Sequence, residues 1–149
     1  MRTLAAETVD KIGQEVTLQG WVNTRRDHGN IVFLDLRDRS GIVQMVSTKT
    51  ADAGSEDVIE VVGLVKKRPE NMTNPKIPTG TVEVEITSIK IISEAKELPF
   101  PIDTDGYEIN EEVRLKYRYL DMRRPRMNRN LRARSKITMF IRNYLTKQD

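Results

Sequence analysis

Between Val16 and about Ile92, apart from the polar stretch TKTADAGSED and the loop PENMTNPKIPTG, apolar side chains recur at every second residue, the period of half-buried strands and not of helices. Such strands bury one face only if the sheet closes on itself or stacks on another layer, so this pattern narrows the fold more than anything else in the chain. Five strands are expected. In the first, VTLQGWVNTRR, Val16, Leu18, Gly20 and Val22 share one face while Thr17, Gln19, Trp21 and Asn23 share the other. Asp27-His28-Gly29-Asn30 supplies turn chemistry. IVFLDLRD follows, with Val32, Leu34 and Leu36 inward and Ile31, Phe33, Asp35 and Arg37 opposite, and Arg39-Ser40-Gly41 turns the chain into IVQMVS. A long strand from Val58 to Arg68 keeps Ile59, Val61, Gly63 and Val65 in register, and in the last strand Val82, Val84 and Ile86 alternate with Glu83, Glu85 and Thr87.

Short turns between the first three strands and one break before the fourth predict a five-stranded Greek-key barrel of the OB type, in which a helix often fills that break. Residues 51–57 leave room for one or two helical turns at most, so the helix is expected to be vestigial or missing. An SH3-like barrel and a small sandwich share the same periodicity. After Ile92 the alternation gives way to SEAKELPFPIDTDGYEINEE, whose prolines and clustered acids predict a linker without a continuous helix. EEVRLKYRYLDMRRP is expected to form a short basic helix. From about Asn128 the spacing of Ile137, Phe140, Ile141, Tyr144 and Leu145 follows a helical face. The resulting expectation is a mainly β chain: a barrel domain over 1–93, a linker and hinge over 94–127, and an amphipathic helix over 128–149. The apolar stripe of that helix predicts a cover from a continuing polypeptide or from another chain.

The formal net charge of +3 conceals an asymmetry. Residues 1–113 hold 13 Lys and Arg against 20 Asp and Glu, whereas residues 114–149 hold 12 against 2. The basic segment suggests a polyanionic partner, or else a solvated helix whose acidic partners lie elsewhere. There is no cysteine, which excludes disulfides, CxxC metal sites and thiol nucleophiles and is compatible with a cytoplasmic setting. The start shows no apolar signal region and no stretch approaches the length of a membrane span, so no membrane partner is expected.

No catalytic constellation can be assembled from these residues. The one histidine, His28, has no nucleophile turn or ligand companions around it, and no phosphate-binding glycine loop occurs. The informative residues are those that break the apolar-in, polar-out rule. Phe33 falls on the outward face of its strand, where an aromatic ring can stack a base; a ring covered by the N-terminal arm or by the loop after Arg68 is the alternative. Gln44 lies on the neighbouring strand, Arg25 and Arg26 end the first strand, and Lys66 and Arg68 end the fourth. Aromatic, amide and cation on one face are the parts with which single-stranded RNA is read.

GWVNTRRDHGNIVFLDLRDRSGIVQ at 20–44, NPKIPTG at 74–80 and RLKYRYLDMRRP at 114–125 closely resemble bacterial-type aspartyl-tRNA synthetases, and the resemblance spans essentially the whole chain. It implies an anticodon-binding OB domain, a hinge, and the beginning of the class II motif 1 that forms the dimer interface of a homodimer. It implies that Phe33 stacks on an anticodon base, that Gln44 and Glu83 hydrogen-bond base edges, and that Arg26, Lys66, Arg68 and Asn74 hold bases or backbone around the same pocket. His28 lies in a loop that varies between members charging only the aspartate tRNA and members that also accept the asparagine tRNA. Two departures stand out: the loop after the third strand is several residues short, and Met72 replaces a polar residue of some members.

The resemblance places ATP, magnesium and aspartate activation in the whole enzyme, and neither cofactor nor catalysis in these 149 residues. The expectation is therefore a module that binds the GUC-type anticodon of an aspartate tRNA, as a monomer or weakly self-associating. A free-standing OB protein binding single strands without preference is the alternative, with an oligomerisation fragment acting through the C-terminal helix as a third reading. RLKYRYLDMRRP weighs against the free-standing protein, which has no use for a hinge.

Overall fold

The computed structural model describes residues 2–48 and 52–148, in two compact units that divide after Lys96. The first unit is a closed barrel. Six strands are present among the described residues: β1 (Arg2–Thr3), β2 (Glu15–His28), β3 (Ile31–Arg37), β4 (Ile42–Ser47), β5 (Val58–Lys67) and β6 (Val82–Ser93). They hydrogen-bond in the order β1-β2-β3-β4-β6-β5, and β2 pairs again with β5, so the five long strands close on themselves. β1, which the alternation does not reveal, adds two residues in parallel beside β2.

The alternation is the reason for the closure. Leu18, Val22, Leu34, Leu36, Val43, Met45, Ile59, Val61, Val65, Val82 and Val84 are fully buried inside the barrel, and Ile86 packs against them half-buried. Truncating one such residue to alanine costs about 2–5 kcal/mol for a leucine. Gly63 holds an inward position where nothing larger fits, since a Cβ on it would clash with the backbone oxygen of Glu85. The β2–β3 turn is tighter than the tetrapeptide Asp27–Asn30 suggests. Asp27 and His28 belong to β2, His28 pairs with Ile31, and Gly29 takes the turn at φ 62, a conformation that favours glycine.

Both ends of the barrel are sealed by side chains reaching backbone. Between β4 and β5 the described residues contain no helix. Instead Ala53 enters the core, and the Asp57 carboxylate accepts hydrogen bonds from the N–H groups of Gly54 (2.7 Å) and Ala95 (2.6 Å). At the other side a 3-10 helix over Ala5–Asp10 packs Ala5 and Thr8 inward. Asp38 pins it, accepting from Ala5 N–H at 2.8 Å as well as from Ser40 N–H, Ser40 Oγ and Gly41 N–H.

The second unit begins without regular structure. The Asn110 side chain caps α1 (Glu111–Lys116) by accepting from Glu112 N–H at 2.8 Å. The expected single basic helix is two, because the chain leaves helical geometry at Tyr117 (φ −107, ψ 43) before α2 (Arg118–Asp121). α3 (Pro125–Thr146) starts earlier than Asn128, with Pro125 in the first turn, where a missing N–H is no loss. The basic motif owes its spacing to one buried carboxylate. Asp121 accepts from Arg124 Nε (2.9 Å) and from Arg114 Nε and Nη2 (3.1 and 3.2 Å), while Arg124 also donates to Thr104 and lies over the Phe100 ring. Burial pushes the Asp121 carboxyl up, but these two guanidinium groups outweigh it and hold it below the usual carboxylate range. No residue of α3 is buried, and Ile137, Phe140, Ile141, Tyr144 and Leu145 are all exposed.

Asp38 gives the barrel a testable acid limit. Burial raises its carboxyl, yet the hydrogen bonds from Ser40, Ala5 and Gly41 outweigh that and keep it below the ordinary aspartate value. A carboxylate with a folded pKa below its unfolded one contributes stability that is complete above the unfolded value and fades as the pH falls below about 4. Asp38→Ala leaves the buried Ala5 N–H without its acceptor and is expected to lower stability by about 1–3 kcal/mol at neutral pH. Thermal melts of both proteins should show that difference shrinking as the pH drops from about 5 to 2, and a constant difference would contradict the role given to Asp38.

Candidate nucleic-acid interface

Unbroken alternation along β2 would turn Arg26 toward the core, because Val16, Leu18 and Val22 all face inward. A bulge between Val22 and Thr24 prevents this. One extra residue reverses the faces of everything after it. Beyond the bulge Thr24 pairs with Asp35 and Arg26 pairs with Phe33, both on the outer face of β3. The same residues of β3 meet β4, with Asp35 opposite Gln44 and Phe33 opposite Val46. β6 lies parallel to β4 with Val84 beside Met45, and Glu83 pairs across to Lys66 of β5. Five strands thus bring Arg26, Phe33, Asp35, Gln44, Glu83 and Lys66 to one outer face.

The polar side chains of this face form a continuous row of alternating character. Arg26 Nη2 donates to Asp35 Oδ1 at 2.9 Å and to Gln44 Oε1 at 3.3 Å. Gln44 Nε2 donates in turn to Glu83 Oε2 at 3.2 Å, and Arg68 Nε lies 3.7 Å from that same oxygen. Lys66 pairs with Glu85 at 2.6 Å. Asp35 is the member that sequence reasoning placed on the outward face without assigning it a role; its position opposite an amide and beside an arginine was the available signal. Burial raises its carboxyl above the ordinary aspartate value, outweighing the attraction of Arg26 and Arg68.

The strand expected to run to Arg68 ends one residue earlier, at Lys67, and Arg68 follows it as a buried cation, its side chain 4% exposed. Its Nη1 donates to Met72 O at 3.4 Å, while Nε and Nη2 have no hydrogen-bond partner among the described residues. Burial lowers its pKa first, Glu83 and Asp35 pull it up, and the neighbouring Arg26 lowers it further. A buried guanidinium with idle N–H groups beside a row of base-sized polar groups can receive a planar or anionic acceptor.

Phe33 is half-buried, and its ring contact is His28, edge-on with centroids 5.7 Å apart. His28 is therefore the last residue of β2 and not a loop side chain. The N-terminal arm docks on β2 and the turn after β3, through β1 and through Ala5 and Ala6 to Asp38 and Ser40. Asn74 sits apart from the polar row, in the loop after β5. Its side-chain oxygen accepts from Lys76 N–H at 3.0 Å and its own N–H donates to Gly80 O at 3.1 Å, which folds 74–80 into a compact turn. Met72 in the same loop is exposed. Among the described residues there is no cluster of metal-ligating side chains, and no helix is long and apolar enough to cross a membrane.

A ring that can stack, an amide and a carboxylate that offer mixed donors and acceptors, and guanidinium groups at hand for acceptors or phosphates make up the chemistry of a single-strand reader. Comparison with known proteins agrees. Residues 16–92 match the family described as OB-fold nucleic acid binding domain, and residues 110–149 match tRNA synthetases class II (D, K and N). The chain is 48% identical over 147 residues to an aspartate–tRNA(Asp/Asn) ligase of Halothermothrix orenii, covering 93% of this chain and 25% of that protein. It is 53% identical over 145 residues to the ligase of the same name from Dictyoglomus turgidum, covering 91% of this chain and 24% of that one. It is 48% identical over 143 residues to an aspartate–tRNA ligase of Staphylococcus aureus, covering 90% and 24%. The chain thus spans about a quarter of the length of the curated relatives it matches.

Among solved structures, a putative aspartyl-tRNA synthetase from Leishmania major superposes with a TM-score of 0.87 at 20% identity, over 100% of this chain and 33% of that one, and shows the fold alone. Asparaginyl-tRNA synthetase from Pyrococcus horikoshii superposes at 0.80 with 28% identity, over 99% and 35%. With its barrel matched over more than half of its length, the chain belongs to the anticodon-binding OB-fold nucleic-acid-binding family, joined here to the start of a class II tRNA synthetase domain and related to the aspartate–tRNA ligases.

Proposed function

We propose that the outer face of β2, β3, β4 and β6 reads the anticodon of an aspartate tRNA, GUC in type. The observation that carries this reading is the placement of the Phe33 ring beside the hydrogen-bonded row Arg26, Asp35, Gln44, Glu83. One base stacks on Phe33, Gln44 and Glu83 meet base edges, and Arg26, Arg68 and Lys66 meet acceptors and phosphates. Asn74 keeps the 74–80 turn folded at the rim. Relatives named for both aspartate and asparagine tRNAs extend the reading to an asparagine anticodon, with His28 against the Phe33 ring as the side chain placed to tune that choice. Activation of aspartate with ATP and magnesium, and transfer to tRNA, belong in this proposal to the remainder of such a ligase, as does pairing of two subunits through the apolar stripe of α3. The 149 residues alone are expected to bind and not to catalyse.

Phe33→Ala should leave the barrel folded, since the core residues Val32, Leu34 and Leu36 are untouched. Affinity for a stem-loop bearing GUC should fall about 5- to 150-fold, the scale of about 1–3 kcal/mol for one stacked base. The thermal midpoint and the affinity are to be measured together; a large fall in the midpoint with unchanged affinity per folded molecule would make Phe33 a structural residue.

Lys66→Ala should act on every sequence alike. If Lys66 meets a phosphate, the log–log salt dependence of binding loses roughly 0.7 in slope. Gln44→Ala and Glu83→Ala should instead erode the preference for GUC over altered anticodons, because amide and carboxylate groups read base edges. Titrations across a salt series with matched and altered stem-loops separate the two effects. Equal loss on all anticodons for Gln44→Ala would contradict its assignment.

A further inference from the structure

The position of Asp35 points beyond the residues that would touch RNA. Its carboxylate and the Gln44 carboxamide oxygen share one donor, Nη2 of Arg26, at 2.9 and 3.3 Å, and Asp35 sits directly across the β3–β4 ladder from Gln44. We propose that Asp35 is a positioning residue for anticodon discrimination, holding Arg26 against Gln44 Oε1 and so fixing which end of the Gln44 amide faces Glu83. This inference rests on the reading that this face binds an anticodon.

The geometry leaves one arrangement of the row in which every contact is attractive. With Oε1 toward Arg26, Gln44 Nε2 donates to Glu83 Oε2 at 3.2 Å. Were the amide reversed, Oε1 would meet a carboxylate and the NH2 group would meet a guanidinium, and both contacts would be repulsive. The donor and acceptor order offered to a base edge is therefore set by the charges at the two ends, Asp35 with Arg26 at one and Glu83 with Arg68 at the other. Arg26 is long and its side chain is 43% exposed, so it depends on a partner to stay in place. If Asp35 is removed, Glu83 is the remaining carboxylate of the row that can draw Arg26 over, and a Glu83 drawn to Arg26 no longer holds Gln44.

The barrel does not need this carboxylate. Asp35 lies outside the core, and its side chain is only 18% exposed. Burial raises its pKa despite two nearby arginines, so its ionised form works against folding and not for it. An acid outside the core, wired through Arg26 to a group that faces ligand, fits a part in recognition.

The experiment compares the wild-type chain with Asp35→Ala, Asp35→Asn, Arg26→Ala and the double variant Arg26→Ala/Asp35→Ala. Each is titrated with a GUC stem-loop and with one altered in a single anticodon base, and each thermal midpoint is recorded. Asp35→Ala is expected to lower the ratio of the two affinities by about tenfold, the scale of one lost oriented hydrogen bond. Asp35→Asn keeps an acceptor for Arg26 and should retain more of the ratio, with a midpoint no lower than wild type. In the Arg26→Ala background the Asp35 substitution should change the ratio no further, because Asp35 acts through Arg26. A wild-type preference that Asp35→Ala leaves intact overturns this inference alone, as does an Asp35 effect that persists without Arg26 or a midpoint that falls in Asp35→Asn. A wild type with no preference between the two stem-loops overturns the anticodon reading itself.

Discussion

β2 has to serve two neighbours. Its first half, Glu15 to Trp21, pairs with β5, and its second half, from Trp21 to His28, pairs with β3. This double pairing closes the barrel and removes the open sheet edges that would otherwise have to be covered. A strand passing from one partner to another must bend and twist, and the bulge between Val22 and Thr24 sits immediately after the handover at Trp21. The 54–57 segment braces that corner, with Val22 N–H donating to Asp57 O and Glu56 N–H donating to Val22 O. The same irregularity that lets the barrel close turns Arg26 outward, so fold and binding face come from one backbone feature.

The face so formed is neutralised from within. Arg26 is matched by Asp35, Arg68 stands near Glu83, and Lys66 pairs with Glu85. Such a surface exerts little long-range pull on a polyanion, and contacts that read base edges demand partners held in a fixed order. The excess of positive charge lies instead in residues 114–149, where Arg114 and Arg124 are spent on the buried Asp121 carboxylate. The basic motif of this segment is thus partly architecture: an aspartate buried among arginines that its own sequence neighbours supply.

Period two made the core legible, because Leu18, Leu34, Val61 and Val84 needed only their spacing to be placed inside. Phe33 was legible for the same reason, as an aromatic side chain on the outward face, with Gln44 on the outward face of the neighbouring strand. Periodicity alone placed Arg26 only at the end of a strand, and its assignment to the pocket came from the resemblance, since a bulge depends on which neighbours a strand has and leaves no mark in a single-strand pattern. The burial of Arg68 was not legible, because it depends on the loop that folds back over it, tied by Arg68 N–H to Thr81 O. β1 and the 3-10 helix after it escaped notice because two paired residues and one irregular turn carry too little periodicity, and the carboxylate that holds them, Asp38, is distant in sequence.

Equilibrium binding of the wild-type chain to a GUC stem-loop, to stem-loops with altered anticodons and to oligo-dT of equal length, at one salt concentration, addresses the central claim most directly. Tightest binding to GUC, with a loss of about 1–3 kcal/mol for each altered base as for other base-specific contacts, is the predicted result. Equal affinity for all of these single strands would contradict it and leave an OB barrel that binds without reading.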